Sequence, residues 1–322
     1  MNGLPAEALV LAAGEGRRLR PATDATPKPL VPFLNVPLLE HVLRRLAAAG
    51  IRRVLLNAWH RADDLVRFAD AAPVPGLDIE VFVEDQLLGT GGGIAALARH
   101  VESDSLLVLA GDVLADFDLP ALAARHRASG AAATMALTPR PDPSRYGPCT
   151  IDDAGRLIDI ARLLGRPDAP AERTFVNASA HLLERDFVDI LPSTPSCLVR
   201  QGYVPAMTAG LACAGWVHGG RWEETGTPQA LVAAQEHALR GLAPVDAELL
   251  ARGGALRPGP ALVASDARVA EDALLLDGTT VGARALVGRG ARLRRCLVLP
   301  GAEVAPGADL TETLVCPVAA VA

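Results

Sequence analysis

The chain has 322 residues, 50% of them hydrophobic but only 3% aromatic, and a formal net charge of −6, which excludes disorder and suits about two domains with cores of Leu, Val and Ala. Scattered arginines, an acidic balance and few aromatics exclude nucleic acid as a partner; no apolar stretch reaches the ~18 residues of a membrane span and no basic leader opens the chain, so a cytoplasmic protein without membrane contact is expected. The five cysteines are odd in number, widely spaced and free of CxxC pairs, which reads as reduced thiols and disfavours zinc.

In chain order, the first element is a short apolar run, Ala8 to Leu11, of the kind found in a central parallel strand. Gly14 and Gly16 follow it and free the backbone to approach a ligand, so that N–H groups of the turn can cradle phosphate. Arg17, Arg18, Arg20 and Lys28 then face only Glu15 and Asp24, making the loop locally basic in an acidic chain. Lys28 is the single lysine among 31 basic residues, and Pro27 and Pro29 fix the backbone on either side of it. An ammonium is a compact point charge where guanidinium is a planar fork, so a site that sets a cation between phosphate oxygens can require it. The loop is neither a Walker A nor a dinucleotide fingerprint: Leu19 stands where a third glycine would, and no Gly-Lys-Ser/Thr exists.

Leu39, Val42, Leu43, Leu46 and Ala47 recur at helical spacing up to Gly50, and a strand is expected at Arg53 to Asn57. A helix near residues 62–71, a strand at 79–83, a helix from Gly93 to His100 and a strand at 106–109 continue the alternation. The pattern predicts an α/β fold with a doubly wound, Rossmann-like sheet, whose ligands sit at the carboxyl ends of the strands. One such end is EDQLLGTGGG, where Gly89, Gly91 and Gly92 could let a base lie flat on backbone and Glu84 either accepts from a base or is solvated. Another is LLVLAGD, where Asp112 can hold Mg²⁺; helix capping, the bland alternative, fits Asp116 or Asp118 better. Longer strands with fewer helices are expected at 132–137, 175–183 and 211–217, in a sheet expected to be mixed over its whole width. Residues 241–260, rich in Gly, Pro and Ala, read as a linker with a short helical patch. Beyond them aliphatic residues recur every six positions at Val263, Val269, Leu275, Val281, Val287 and Leu293, then after one five-residue step at Val298, Val304 and Leu310. Such hexads build a parallel β-helix of roughly three coils, and without histidine or aromatic residue this one is expected to serve homo-oligomer assembly and not chemistry.

The run Leu-Ala-Ala-Gly-x-Gly-x-Arg-x-x-Pro, followed by Pro-Lys-Pro-Leu, resembles the signature loop of the sugar-1-phosphate nucleotidyltransferases, or NDP-sugar pyrophosphorylases. LGTGGG resembles that family's base-binding segment and FVNASAHLLE its sugar-contacting strand, with Asn177 matched and Ser179 in place of glycine. RWEETGTPQAL resembles Trp-x-Asp-x-Gly-Thr-Pro-Glu and sets Glu224 where the family has its second metal aspartate, although Thr227-Pro228 also reads as an ordinary helix start. The family's sugar-phosphate lysine would fall near Arg162, so Arg162 or Arg166 is expected to substitute.

The resemblance implies transfer between an NTP and a sugar-1-phosphate, giving NDP-sugar and pyrophosphate. It implies catalytic roles for Arg18, Lys28 and Asp112, and Mg²⁺ on Asp112 and Glu224. Leu11, Ala12, Ala13, Gly14, Gly16, Arg17, Glu84, Gly89, Gly91 and Gly92 would contact nucleotide, and Asn177 and Arg162 the sugar phosphate. It implies a nucleotidyltransferase domain at 1–240, the linker at 241–260 and a left-handed β-helix at 261–322. The hexads and LGTGGG resemble mannose-1-phosphate guanylyltransferases, which favours GTP; TGGGI and the missing lysine resemble N-acetylmuramate-1-phosphate uridylyltransferases, which would take UTP. A catalytically silent, nucleotide-sugar-binding regulatory paralogue is the rival from another class.

Overall fold

Strand β1 (Glu7–Leu11) buries Ala8, Leu9 and Val10 between two parallel neighbours, as expected of an apolar run with no polar face. It pairs with β2 (Arg53–Ala58), β2 pairs with β3 (Asp78–Val83), and the other edge of β1 takes β4 (Ser105–Ala110). The computed structural model describes residues 3–140, 142–166, 173–243 and 245–317. Its chain divides into two compact units, Met1–Gly14 with Leu43–Trp222 and Glu15–Val42 with Glu223–Ala322. Helices α1 (Leu38–Ala48), α2 (Ala62–Asp70), α3 (Gly89–Leu97) and α4 (Leu119–Ser129) lie between the strands in sequence, giving the expected alternation. The start expected for α3, Gly93, is corrected: the helix begins at Gly89 and ends in a 3₁₀ turn at Ala98–His100, because the glycines are packed and not looped.

The first unit's sheet continues with β5 (Ala133–Thr138), β6 (Pro148–Ile151), β7 (Leu157–Ile160), β8 (Thr174–Glu184) and β9 (Cys213–Val217). The order is β7-β6-β8-β4-β1-β2-β3, with β5 on the free edge of β8 and β9 beside β5. The hairpin of β6 and β7 was not legible among the longer strands. Antiparallel β8 makes the sheet mixed and carries Asn177 past the end of β4, toward the edge that holds Asp112. One edge of β8 pairs β6 with its first half and β4 with its second, the other pairs β5, and a bulge between Asn177 and His181 separates the halves. Ser179 sits in that bulge at φ 65°, and its N–H donates to Asn177 Oδ1 at 2.8 Å. The left-handed backbone explains why glycine suits this position.

In the second unit, residues 261–317 form three parallel ladders. Val263, Val281, Val298 and Val315 stack in one, Val269, Val287 and Val304 in the next, and Leu275, Leu293 and Leu310 in the third. All but Val315 are the residues of the hexad reading; the five-residue step at Val298 shortens the second coil, and Val315 follows Leu310 by a second such step. Residues 318–322 of the expected tail lie outside the described residues. The outward residues of the first face, Leu262, Thr280 and Leu297, are fully buried, and helix α5 (Pro228–Leu239) lies on that face, its Gln235 accepting from the Thr280 hydroxyl at 2.9 Å. The expected linker holds helix α6 (Ala247–Gly253), capped by Asp246, and a strand at Ala255–Arg257 that adds antiparallel to residues 261–263. Among the described residues no helix is long and apolar enough to cross a membrane.

A non-glycine residue held left-handed costs about 1 kcal/mol. Ser179→Gly is therefore expected to raise the unfolding free energy by about that much, since the hydrogen bond to Asn177 uses the backbone N–H and survives; urea denaturation measures it.

Candidate active site

At the carboxyl ends of β1, β2 and β3 the first unit carries a chain of buried polar groups. Asn57, 3% exposed, accepts from the Ala12 N–H at 2.8 Å and donates to Glu84 Oε1 at 2.7 Å; Glu84 Oε2 accepts from the Leu88 N–H at 2.9 Å. Of the two alternatives for Glu84 the solvated one is corrected, since the carboxylate is 8% exposed and each of its oxygens accepts from a protein group. It sets the entry to α3. Sequence reasoning missed Asn57; its signal is a polar side chain ending the apolar run RVLLNA. Gly93 follows from the same pair, because a Cβ there would lie 2.6 Å from Asn57 Nδ2.

The glycines of α3 have a packing reason. Cβ atoms would lie 2.6 Å from the Ser196 carbonyl at Gly89, 2.7 Å from Ser196 Oγ at Gly91 and 2.5 Å from the Thr194 carbonyl at Gly92. The side on which a Cβ would stand is thus packed against residues 194–196. Gly14 differs: nothing stands within 4 Å of its Cβ position. It is the glycine of the opening loop with room for a ligand.

Asp112 directly follows Gly111, whose N–H donates to the Leu11 carbonyl at 2.9 Å, so it sits beside the start of the opening loop. The capping role falls to Asp118, which accepts from the Ala121 N–H at 2.9 Å, and Asp116 accepts from the Arg221 N–H at 2.6 Å. Near Asn177, Trp222 donates its indole N–H to the Ala178 carbonyl at 3.2 Å, the Arg140 guanidinium lies 4.7 Å from the Trp222 ring centre, and Tyr146 meets the ring edge-on. Arg140 and Tyr146 were missed in sequence, and Trp222 entered only as part of the RWEETGTPQAL motif, because nothing local links residues so far apart. Arg162, exposed and left-handed at φ 59°, turns the chain after β7, and buried Asp159 accepts from the N–H groups of Leu164 and Arg166 at 3.1 Å each.

The second unit gathers the cationic residues. Gly16 is left-handed at φ 65°, its carbonyl accepts from the Thr23 hydroxyl at 3.0 Å, and a Cβ on it would lie 2.9 Å from Lys28 Cβ. Only glycine lets the loop pass this close to the lysine. Lys28 opens a 3₁₀ turn between buried Pro27 and Pro29, closed by Leu30 N–H to the Pro27 carbonyl at 2.8 Å. Arg17 is exposed and ion-paired with Glu15, which raises its pKa through that hydrogen bond. Arg18 Nη2 and Glu224 Oε1 both lie within 4 Å of the point where a Gly226 Cβ would stand, so they flank one glycine. Thr227 caps α5 with Pro228 in its first turn, which accounts for the Thr-Pro half of that motif.

Immediately after Lys28 comes a hairpin, Pro32–Phe33 with Val36–Pro37, whose tip residues Leu34 and Asn35 have φ of 51° and 62°. Gln235 Oε1 accepts from the Leu34 N–H at 3.1 Å, and Asn35 Nδ2 donates to the carbonyls of Gly253 at 2.9 Å and Val281 at 3.0 Å. Buried Glu40 pairs with Arg252. The coil and its covering helices therefore buttress the segment that carries Lys28, a task beyond the assembly role expected of the tail.

The family model for nucleotidyl transferases matches residues 7–241. The chain belongs to that family and is a nucleotidyltransferase. A mannose-1-phosphate guanylyltransferase of Mycobacterium tuberculosis is 36% identical over 308 residues, covering 92% of this chain and 81% of that one. A mannose-1-phosphate guanyltransferase of Candida albicans is 30% identical over 312 residues, covering 95% and 85%. Among solved structures, HddC from Yersinia pseudotuberculosis, complexed with GMP-PN, shares the fold at a TM-score of 0.59, with 21% identity over 71% of this chain and 97% of that one.

Gly14→Ala is expected to leave the melting temperature unchanged while raising the KM for nucleotide, whereas Gly16→Ala loses about 1–2 kcal/mol of stability from its left-handed backbone alone. Calorimetry beside steady-state kinetics separates the two. Asn35→Gly keeps the turn but removes both amide hydrogen bonds, and denaturant unfolding should show a loss of about 2 kcal/mol.

Proposed function

We propose that this protein is a mannose-1-phosphate guanylyltransferase, joining GTP and mannose-1-phosphate into GDP-mannose and releasing pyrophosphate. The observation that carries the reading is the relative of that name, matched at 36% identity over 92% of the chain. The intact opening loop with its lysine supports transfer over the silent paralogue. A sugar phosphate oxygen attacks the α-phosphorus of GTP, a new P–O bond forms, and the bond to the β-phosphate oxygen breaks. That nucleophile is already anionic, so no general base is needed. The obstacle is charge: two like charges ~4 Å apart repel by about 4 kcal/mol at an effective dielectric of 20.

Each residue then acts by position or by charge. Gly14, with Leu11, Ala12 and Ala13, presents backbone to the phosphates; Arg18 and Lys28 neutralise the triphosphate and the departing pyrophosphate. Asn177 and Arg162 take the sugar phosphate. Arg140, stacked on Trp222 near Asn177, adds a cation to that end and helps replace the missing lysine.

Asp112 and Glu224 would hold Mg²⁺, which when bound neutralises phosphate charge. The chemistry of this donor pair fits, since magnesium takes oxygen ligands and is ordinarily held by one or two carboxylates with substrate phosphates and water. Functionally, residues 1–240 carry transfer, 241–260 link, and 261–322 assemble a homo-oligomer.

Lys28→Arg is expected to lose nearly as much as Lys28→Ala, about 10²- to 10³-fold in kcat, because the extended fork cannot place its charge where the ammonium stood. Pyrophosphate release from GTP with mannose-1-phosphate measures it, and near wild-type turnover by Lys28→Arg would remove the demand for an ammonium. UTP with N-acetylmuramate-1-phosphate in the same assay tests the uridylyl alternative. A wild type silent with every pair would overturn transfer itself.

A further inference from the structure

One face of the β-helix presents a ladder whose charge order, read in reverse, is its own complement. Strands at residues 268–269, 286–287 and 303–304 pair in parallel with Arg268 beside Leu286 and Leu286 beside Glu303. Val269, Val287 and Val304 alternate with them and turn toward the core, so the outward column reads Arg, Leu, Glu. Leu286, in the middle, is 38% exposed. The face is grooved, with a cavity of about 790 Å³ lined also by Arg257, Gly288 and Pro306.

The three faces treat their charges differently. The first is closed by α5. On the third, Arg294 pairs with Asp277 and, at its edge, Arg295 with Glu312, while Arg292 and Asp309 stand on neighbouring rungs beside exposed Leu274, with the cation next to the anion and not across a leucine from it. Among the described residues Arg268 and Glu303 have no ion-pair partner, and at ~4.8 Å per rung they stand about 10 Å apart. A cation and an anion flanking an exposed leucine on an open face lack a partner that supplies an anion, an apolar centre and a cation in the opposite order.

We propose that the partner is a second copy of this chain, docked on the same face about a two-fold axis parallel to the strands at Leu286. That axis reverses the stacking direction, so Leu286 meets its own copy at the centre and each Arg268 faces Glu303 of the other chain. A two-fold axis along the stack would instead set Arg268 on Arg268 and Glu303 on Glu303, so charge selects the first arrangement. Arg257 reinforces the cationic end. The inference rests on the proposal that the tail carries assembly, and adds to it the face, the axis and the residues. Three short rungs make a patch smaller than the about 800 Å² per partner of a standard interface, so the dimer dissociates in the micromolar range and weakens with salt.

Sedimentation velocity on the full-length protein over a concentration series tests this. Arg268→Glu and Glu303→Arg each set like charges opposite one another, and each is expected to weaken self-association at least tenfold. The double variant restores the opposite-charge order and should recover most of it; matching melting temperatures check that all three fold. A single variant that associates more tightly, or a double variant as weak as the singles, overturns the axis proposed. If the dimer persists unchanged in all three, the interface lies elsewhere and assembly stands. If the wild type is a monomer throughout, assembly itself is overturned.

Discussion

The run from the Ala12 N–H through Asn57 and Glu84 to the Leu88 N–H fixes the ends of three parallel strands with one line of hydrogen bonds. Every polar atom in it is inside the sheet edge, where a lost partner leaves a desolvated group and costs about 1–3 kcal/mol, more if the group is charged. The loop that leaves β1, the turn into α3 and the glycine at position 93 all take their geometry from it. Bonds of this kind are coupled, because Asn57 accepts from one neighbour through its oxygen and donates to the other through its nitrogen.

A different physical demand shapes the second unit. Lys28 has four methylenes of freedom, and a mobile point charge is useful only if its backbone start is fixed. Two buried prolines, one 3₁₀ turn and the hairpin held by Gln235, Gly253 and Val281 supply that fixity. Two consecutive left-handed residues, one of them leucine, are tolerated at the tip because buried hydrogen bonds offset the strain. The hexad coil is thus part of how a lysine more than two hundred residues upstream is held.

Much of this was legible beforehand. The strand-helix alternation and all nine hexad positions were readable because each rests on a period of two, 3.6 or six, which survives without tertiary knowledge. Gly14, Gly16 and Lys28 were readable because unusual residues stood in a short, dense pattern. What was not legible was long-range. The donors that Glu84 accepts from lie at positions 57 and 88, and the α3 glycines looked like a loop because the segment packed against them lies a hundred residues on. Arg140 meets Trp222 across 82 positions, and Asn35 meets Val281 across 246, separations that no local window contains.

The proline-clamped lysine also makes the protein an unusual chemical object. With thirty arginines and one lysine, it has a single side-chain amine in 322 residues. Acylating reagents, which ignore guanidinium at neutral pH, have only that group and the α-amine to find, and the half-buried setting of Lys28 places it where neighbouring chemistry controls access. One mass increment therefore reports on one address, so the chain carries its own site-specific label without any engineered handle.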